Sequence, residues 1–261
     1  MALLRLWEAI AGEGHSRHRG GLGNLDNVFE WLRGKKRGPK LQLPTRDERA
    51  SRNQGEVEFS RFAPTPKDFL GQLAYLELSA FEIMTAEIKF APTTAAKAQL
   101  SEAAAKSFDK YRALSRRISA LGYDPTDAMD AFTERIDLFH SRTAGLDWYE
   151  TVLKLYLSLG LLEEFYRKLA SGLPGDLQQD VEKALNDKTI DKFAKKVLSE
   201  AMLKDAILGS RLALWGRRIM GDVLLEMRAG VPNASLEELE PLIAELNGPH
   251  SLRMDAIGLA A

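Results

Sequence analysis

PKDFLGQLAYLELSAFEIMTAEIKF (residues 66–90) followed, after Ala91-Pro-Thr-Thr94, by AAKAQLSEAAAKSFDKYRALSRRISAL (residues 95–121) decides the fold. In the first segment Phe69, Leu73, Leu76, Ala80, Met84 and Ile88 recur every three or four residues, the period of one helix face. Thr65 is a cap and Pro66 suits the first helical position. In the second segment Leu100, Ala103, Ala104, Ser107, Tyr111, Leu114 and Ile118 form the matching inward face, and Gly122 stops the helix. Two long amphipathic helices on a short link run antiparallel, as half of a four-helix bundle does. Glu77 sits inside the apolar stripe rather than on the solvent side, and a carboxylate there needs a partner.

Outward from this pair the chain stays helical. A connecting helix is expected from Pro125 to about His140, with Met129, Phe132, Ile136 and Phe139 at helical spacing. The third bundle helix runs from about Asp147 to Ala170, with Leu153, Tyr156, Leu159, Leu162 or Glu163, Tyr166 and Leu169 inward. The fourth begins after Leu173-Pro-Gly-Asp176, with Asp176 as cap, and a phase shift between Leu185 and Ile190 predicts a kink near Asn186. A long buried fifth helix covers Ile207 to Met227, where Gly209, Gly216 and Gly221 permit close packing. Ser235-Leu-Glu-Glu238 is a capping box for a short helix ending at Gly248, with a last turn or short helix from Ser251. No segment alternates as a strand does. The fold class is therefore all-α, with an N-terminal extension over residues 1–63, the bundle over 64–230 and a helical tail packed on it over 231–261.

The extension reads differently. Residues 2–10 carry Leu3, Leu6, Trp7 and Ile10 on one side, and Asn24 or Asp26 caps a brief helix with Val28, Phe29, Trp31 and Leu32. From Gly34 to Glu58 the chain is polar and aperiodic, which predicts irregular structure. The basic cluster Arg33, Lys35, Lys36, Arg37 and Lys40 suits phosphate contacts, so nucleic acid is one candidate partner. Asp47, Glu48, Glu56 and Glu58 follow closely and favour a solvated loop.

Composition narrows the chemistry. With 36 Lys and Arg against 37 Asp and Glu, no global field favours nucleic acid or a membrane surface. The absence of cysteine removes disulfides, thiolate metal sites and cysteine nucleophiles. Arg5 and Glu8 interrupt the first apolar run, so no signal peptide is expected, nor is a membrane span; a cytoplasmic location fits. His140 follows Asp137 at metal-ligand spacing, His15 and His18 lie in a Gly-rich loop, and His250 is near the C-terminus. None forms a ligand set by spacing alone. Tyr75, Tyr111, Tyr156, Tyr166 and Trp215 suit either a pocket lining or a core.

Gly71-Gln-Leu-Ala-Tyr-Leu-Glu77, Ala91-Pro-Thr, Leu121-Gly-Tyr-Asp-Pro125, Phe139-His140, Asp147-Trp148, Phe165-Tyr166-Arg167, Arg211-Leu-Ala-Leu-Trp-Gly-Arg-Arg218 and His250-Ser-Leu-Arg-Met254 resemble the actinobacterial ferritin-like proteins, relatives of the tRNA-(2-methylthio-N6-isopentenyl-adenosine) hydroxylases. The resemblance covers roughly residues 64–261. It implies a ferritin-like bundle and, in members that keep the ligands, a carboxylate-bridged di-iron site for oxygen activation. Residue by residue it carries over Glu77 from the first helix. On the second helix the Glu-x-x-His pattern falls on Ser107 and Lys110. The third helix offers Glu163 or Glu164, and the fourth places the second Glu-x-x-His pattern on Asp187 and Ile190. Two imidazoles and a bridging carboxylate are thus replaced, and Lys110 is expected to neutralise Glu77 as a remnant of the site.

Two functions follow. One is a metal-free, cofactor-free binding or assembly module whose partner is a protein or small molecule, with a homodimer open to it. The other is a di-iron oxidoreductase resembling the tRNA hydroxylases, with iron held by Glu77, Glu163 or Glu164, and Asp187.

Overall fold

A computed structural model describes residues 59–260. The expectations for the helix at 2–10, the brief helix at 24–33, the basic cluster at 33–40, His15 and His18 lie outside the described residues. Among the described residues the secondary structure is helical, with no strand. Helix α1 spans Pro66–Glu87 and ends in a single 3-10 turn, Ile88–Phe90. Helix α2 spans Thr94–Ala120, α3 Pro125–Asp130, α4 Thr133–Arg142 and α5 Trp148–Leu169. Helix α6 spans Gly175–Ala184, α7 Thr189–Met202, α8 Ala206–Gly230 and α9 Leu236–Asp255.

Helices α1, α2, α5 and α7 form the bundle: α1 lies on α2, α2 on α7, α7 on α5, and α5 closes back on α1. Helix α8 packs along α5, and α9 covers both. The core is the set of stripes that the periodicity marks, with Phe69, Leu73, Ala80, Met84, Leu100 and Ile118 fully buried. Local chemistry fixes the ends. Thr65 accepts from the Asp68 amide, Thr93 from Ala96, Asp147 from Glu150 and Asp205 from Leu208. After α2, Gly122 takes φ +86° and the Tyr123 amide reaches back to the Ile118 carbonyl, a left-handed cap that glycine adopts without cost.

Several expectations are corrected. The connection at 125–140 is two helices, Pro125–Asp130 and Thr133–Arg142, and α3 lies so close on α1 that the Ala128 carbonyl stands where a Gly71 side chain would be. The kink near Asn186 is a full break: the Asp187 carboxylate accepts from the Thr189 amide and hydroxyl, at 2.9 and 3.1 Å, and starts α7 afresh. Helix α6 begins at Gly175, one residue before Asp176, which pairs with Arg117 instead. The C-terminal helix does not end at Gly248. It runs to Asp255 with Pro241 and Pro249 inside it, held by burial of Leu239, Leu246, His250 and Met254 and by Arg253, which forms two hydrogen bonds to Asp191 at 2.8 and 3.2 Å. Gly216 does allow close packing, against Met254, but Gly221 faces open space.

Gly71 is a close approach between backbones, which no side-chain rotation can relieve. Gly71→Ala should destabilise the fold by about 3 kcal/mol, at the upper end of overpacking costs, read from the urea midpoint at unchanged helicity by circular dichroism.

Candidate functional site at the bundle centre

Glu77 on α1, Ser107 and Lys110 on α2 and Glu163 on α5 converge in the interior. Glu77 is 0% exposed, Ser107 and Glu163 3%, and Lys110 5%. The inward phase of each helix puts them there: Glu77 follows Leu73 and Leu76, and Glu163 follows Leu159 and Leu162. The Lys110 ammonium donates to Glu163 Oε1 at 2.5 Å and lies 3.6 Å from Glu77 Oε1. The expected approach of Lys110 to Glu77 is present as an ion pair, and Glu163, for which no pairing with the lysine was expected, is its nearer partner. Among the described residues neither Glu77 oxygen has a hydrogen bond.

The electrostatics follow from that geometry. Burial raises the Glu77 pKa; the Lys110 charge opposes the rise, the Glu163 charge adds to it, and the adjoining Ser107 hydroxyl lowers it again. Burial alone would lower the Lys110 pKa, but the two glutamates outweigh it and hold the ammonium above its usual range. Two carboxylates and one ammonium carry one surplus negative charge, which a proton on Glu77 removes.

The remaining expected positions separate. Glu164 points away from the centre and pairs with Arg167 at 2.6 Å, so the third-helix acid is Glu163. Asp187 is held by its hydrogen bonds from Thr189, yet it lines, with Lys110, a cleft of about 560 Å³ between α2 and α6. Its charge also favours the lysine's protonated form. Ile190 is buried in the core. Among the described residues no three of His, Asp and Glu form a group able to hold a metal ion. A protonated lysine cannot ligate and repels a cation, so this donor set does not fit a metal pair of the carboxylate and imidazole kind.

Residues 60–240 match the family described as the ferritin-like domain of actinomycetes. The chain belongs to this family. No curated protein matches it. In this ferritin-like chain, Asp137 and His140 do not act together: Asp137 accepts from the Tyr75 hydroxyl at 2.7 Å, while both His140 ring nitrogens are buried without a partner. Tyr156 and Tyr166 belong to the core; Trp215 is half-buried, donates to the Glu150 carbonyl and lines a surface cleft.

Sequence reasoning passed over two buried polar groups. Arg135 on α4 donates to Glu226 Oε1 at 2.6 Å and to Gln72 Oε1 at 2.7 Å, joining α4 to α8 and α1. Lys154 on α5 is 2% exposed and donates to the His140 carbonyl at 3.2 Å, with no carboxylate among the described residues within ion-pair distance. Burial lowers its pKa to about 8 against the pull of Glu87, and burial with the Lys154 charge takes His140 down to about 3. The only signal in the sequence was the inward phase of Lys154 and Glu226.

Two outcomes follow. Lys110→Ala should cost ~3 to 5 kcal/mol, as breaking a buried pair does, because two buried carboxylates lose their counter-charge. The triple replacement Glu77→Leu, Lys110→Met, Glu163→Leu should recover most of that loss in denaturant titrations. For Lys154 the unfolded chain holds its proton up to pH ~10.4 and the folded chain only to about 8. The folded state is therefore penalised below pH 8, and stability rises as pH climbs from 8 towards 10.4. Lys154→Met should stabilise the protein at pH 7 by ~1 to 3 kcal/mol and abolish that rise.

Proposed function

We propose that this ferritin-like bundle works without a metal pair at its centre, as a binding or assembly module. The observation that carries the reading is the Lys110 ammonium, 2.5 Å from Glu163 and 3.6 Å from Glu77. It supplies to the two carboxylates the positive charge that a metal would bring. Ser107 supports the same reading, since the small side chain leaves room where the resemblance places a glutamate. The cleft that ends on Lys110 and Asp187 gives a ligand a route towards the centre of the bundle. Its size is within the range of small-molecule sites.

Metal content tests this. Protein produced with iron and manganese supplied should contain well under one equivalent of either by elemental analysis. Ser107→Glu with Lys110→His, which writes the Glu-x-x-His pattern back onto α2, should raise the content above that of the unmodified chain. Two tightly bound equivalents in the unmodified chain would overturn the proposal in favour of the di-iron oxidoreductase related to tRNA hydroxylases.

A further inference from the structure

The cleft of about 560 Å³ between α2 and α6 has an apolar recess and a charged edge. Ala113, Ala120 and Ala184 form low walls over a base of Leu70, Leu114 and Val181, which the core buries from below. Among the described residues no aromatic ring lines it. At the edge most charges are answered. Arg117 is held by Asp176 and Asp180, and Lys110 by Glu163 and Glu77. Lys106 stands three positions from Asp109, and Asp187 is turned to Thr189. Arg116 and Lys183 remain, both exposed and without an ion pair among the described residues; the Arg116 Nε donates to the Arg112 carbonyl and its charge stays free. The two cations stand at nearly one level. Arg117 meets Asp180, and Lys110 shares the inner end with Asp187, so seven positions back along α2 match seven forward along α6. Lys183 therefore comes level with Leu114, about 3 Å along the helix axis from Arg116.

We propose that this cleft binds a linear alkyl carboxylate from solution, its chain laid between the alanine walls and its head group held between Arg116 and Lys183. A recess without a ring offers no stacking to a base or other planar ligand, whereas an apolar lining with a few placed charges is the usual make-up of a small-molecule site. The surplus of positive charge is local. Over residues 59–261, 25 Lys and Arg stand against 29 Asp and Glu, so the body of the protein does not attract anions and this edge does. The same count argues against residues 1–58 as the occupant, because that segment carries eleven Lys and Arg against eight Asp and Glu, the wrong sign for a basic edge. A bilayer is disfavoured by shape, since the apolar lining lies in the recess between two helices. The proposal deepens the reading of the bundle as a binding module and rests on it.

The test uses the full chain. Equilibrium dialysis at neutral pH with octanoate, decanoate and dodecanoate, each kept monomeric, should show one site per chain, with affinity rising up to ~4-fold for each added methylene. Decylammonium, the same chain with the opposite charge, should bind at least ~10-fold more weakly than decanoate. Arg116→Gln with Lys183→Gln should weaken decanoate ~3- to 10-fold, as two exposed ion pairs are lost, and keep the trend with chain length. Ala113→Trp, which fills the cleft from an exposed wall position, should abolish binding at an unchanged circular dichroism spectrum; Ala184→Trp fills it from α6 and serves if the first variant perturbs α2. No bound carboxylate at any chain length, equal affinity for decylammonium, or decanoate binding indifferent to both tryptophans would each overturn the proposal. An affinity constant across chain lengths would overturn it in favour of a site for small anions, and co-sedimentation with phosphatidylglycerol vesicles undisturbed by Ala113→Trp would overturn it in favour of a membrane surface. Metal content is measured apart from these titrations, so two metal equivalents would refute the metal-free reading whatever decanoate does, and failure to bind decanoate would leave the metal result standing.

Discussion

A single ammonium inside the bundle sets the terms for the rest of the structure. Lys110 reaches the centre from α2 and is answered by Glu163 from α5 and Glu77 from α1, so one side chain holds three of the four bundle helices in register. Removing three charges from water is expensive, and their mutual attraction in a dry interior offsets that only if the geometry is kept. The bundle cannot slide by a turn without stranding a charge. Part of the cost is met by protonation: the buried Glu77 is pushed towards its neutral form, which leaves Lys110 and Glu163 as a balanced pair.

The same device recurs towards the periphery. Arg135 links α4 to Gln72 on α1 and Glu226 on α8, and the Tyr166 hydroxyl on α5 adds a fourth helix through Gln72. Arg253 links α9 to Asp191 on α7, while its own carbonyl accepts from Tyr156 on α5. Each polar group sits between helices that aliphatic packing alone would leave free to shift, since leucine stripes interdigitate in more than one register. Lys154 is the exception. Among the described residues it has one carbonyl to donate to and no carboxylate in range, so it is a cost of the fold rather than one of its clamps.

The helices of the bundle were legible in the sequence because burial there follows a single period, and caps such as Thr65 and Ser235 announce their ends within a few residues. Breaks set by distant contacts were not. The close seat of α3 on α1 needs Gly71, more than fifty positions away in the chain, and the passage of α9 through Pro241 and Pro249 depends on a surface that only the folded bundle provides. At the centre, the inward phase pointed to Glu77 and Lys110 and to their approach, but not to Glu163 as the lysine's nearer partner. Glu163 and Glu164 differ by one position on one helix, and the preference of Lys110 for Glu163 over Glu77 turns on about an ångström that no periodicity encodes. Lys154 and Glu226 were hidden because a lone charge within an apolar phase reads as a gap in the stripe.

Helix α8 departs from the usual two-sided pattern. A helix is amphipathic when one face meets the core and the other meets water. Here the RLALWGRR stretch meets the core through Leu212 and Gly216 and still turns Leu214 outward between Arg211 and Arg218. Its arginines do not compensate for the exposed leucine by surrounding it with free charge: Arg211 is bound to Asp147 and Glu150, and Arg218 lies over the Trp215 ring at 5.2 Å. Fixing those side chains removes the mobile, hydrated cover that lysines would give an exposed apolar residue.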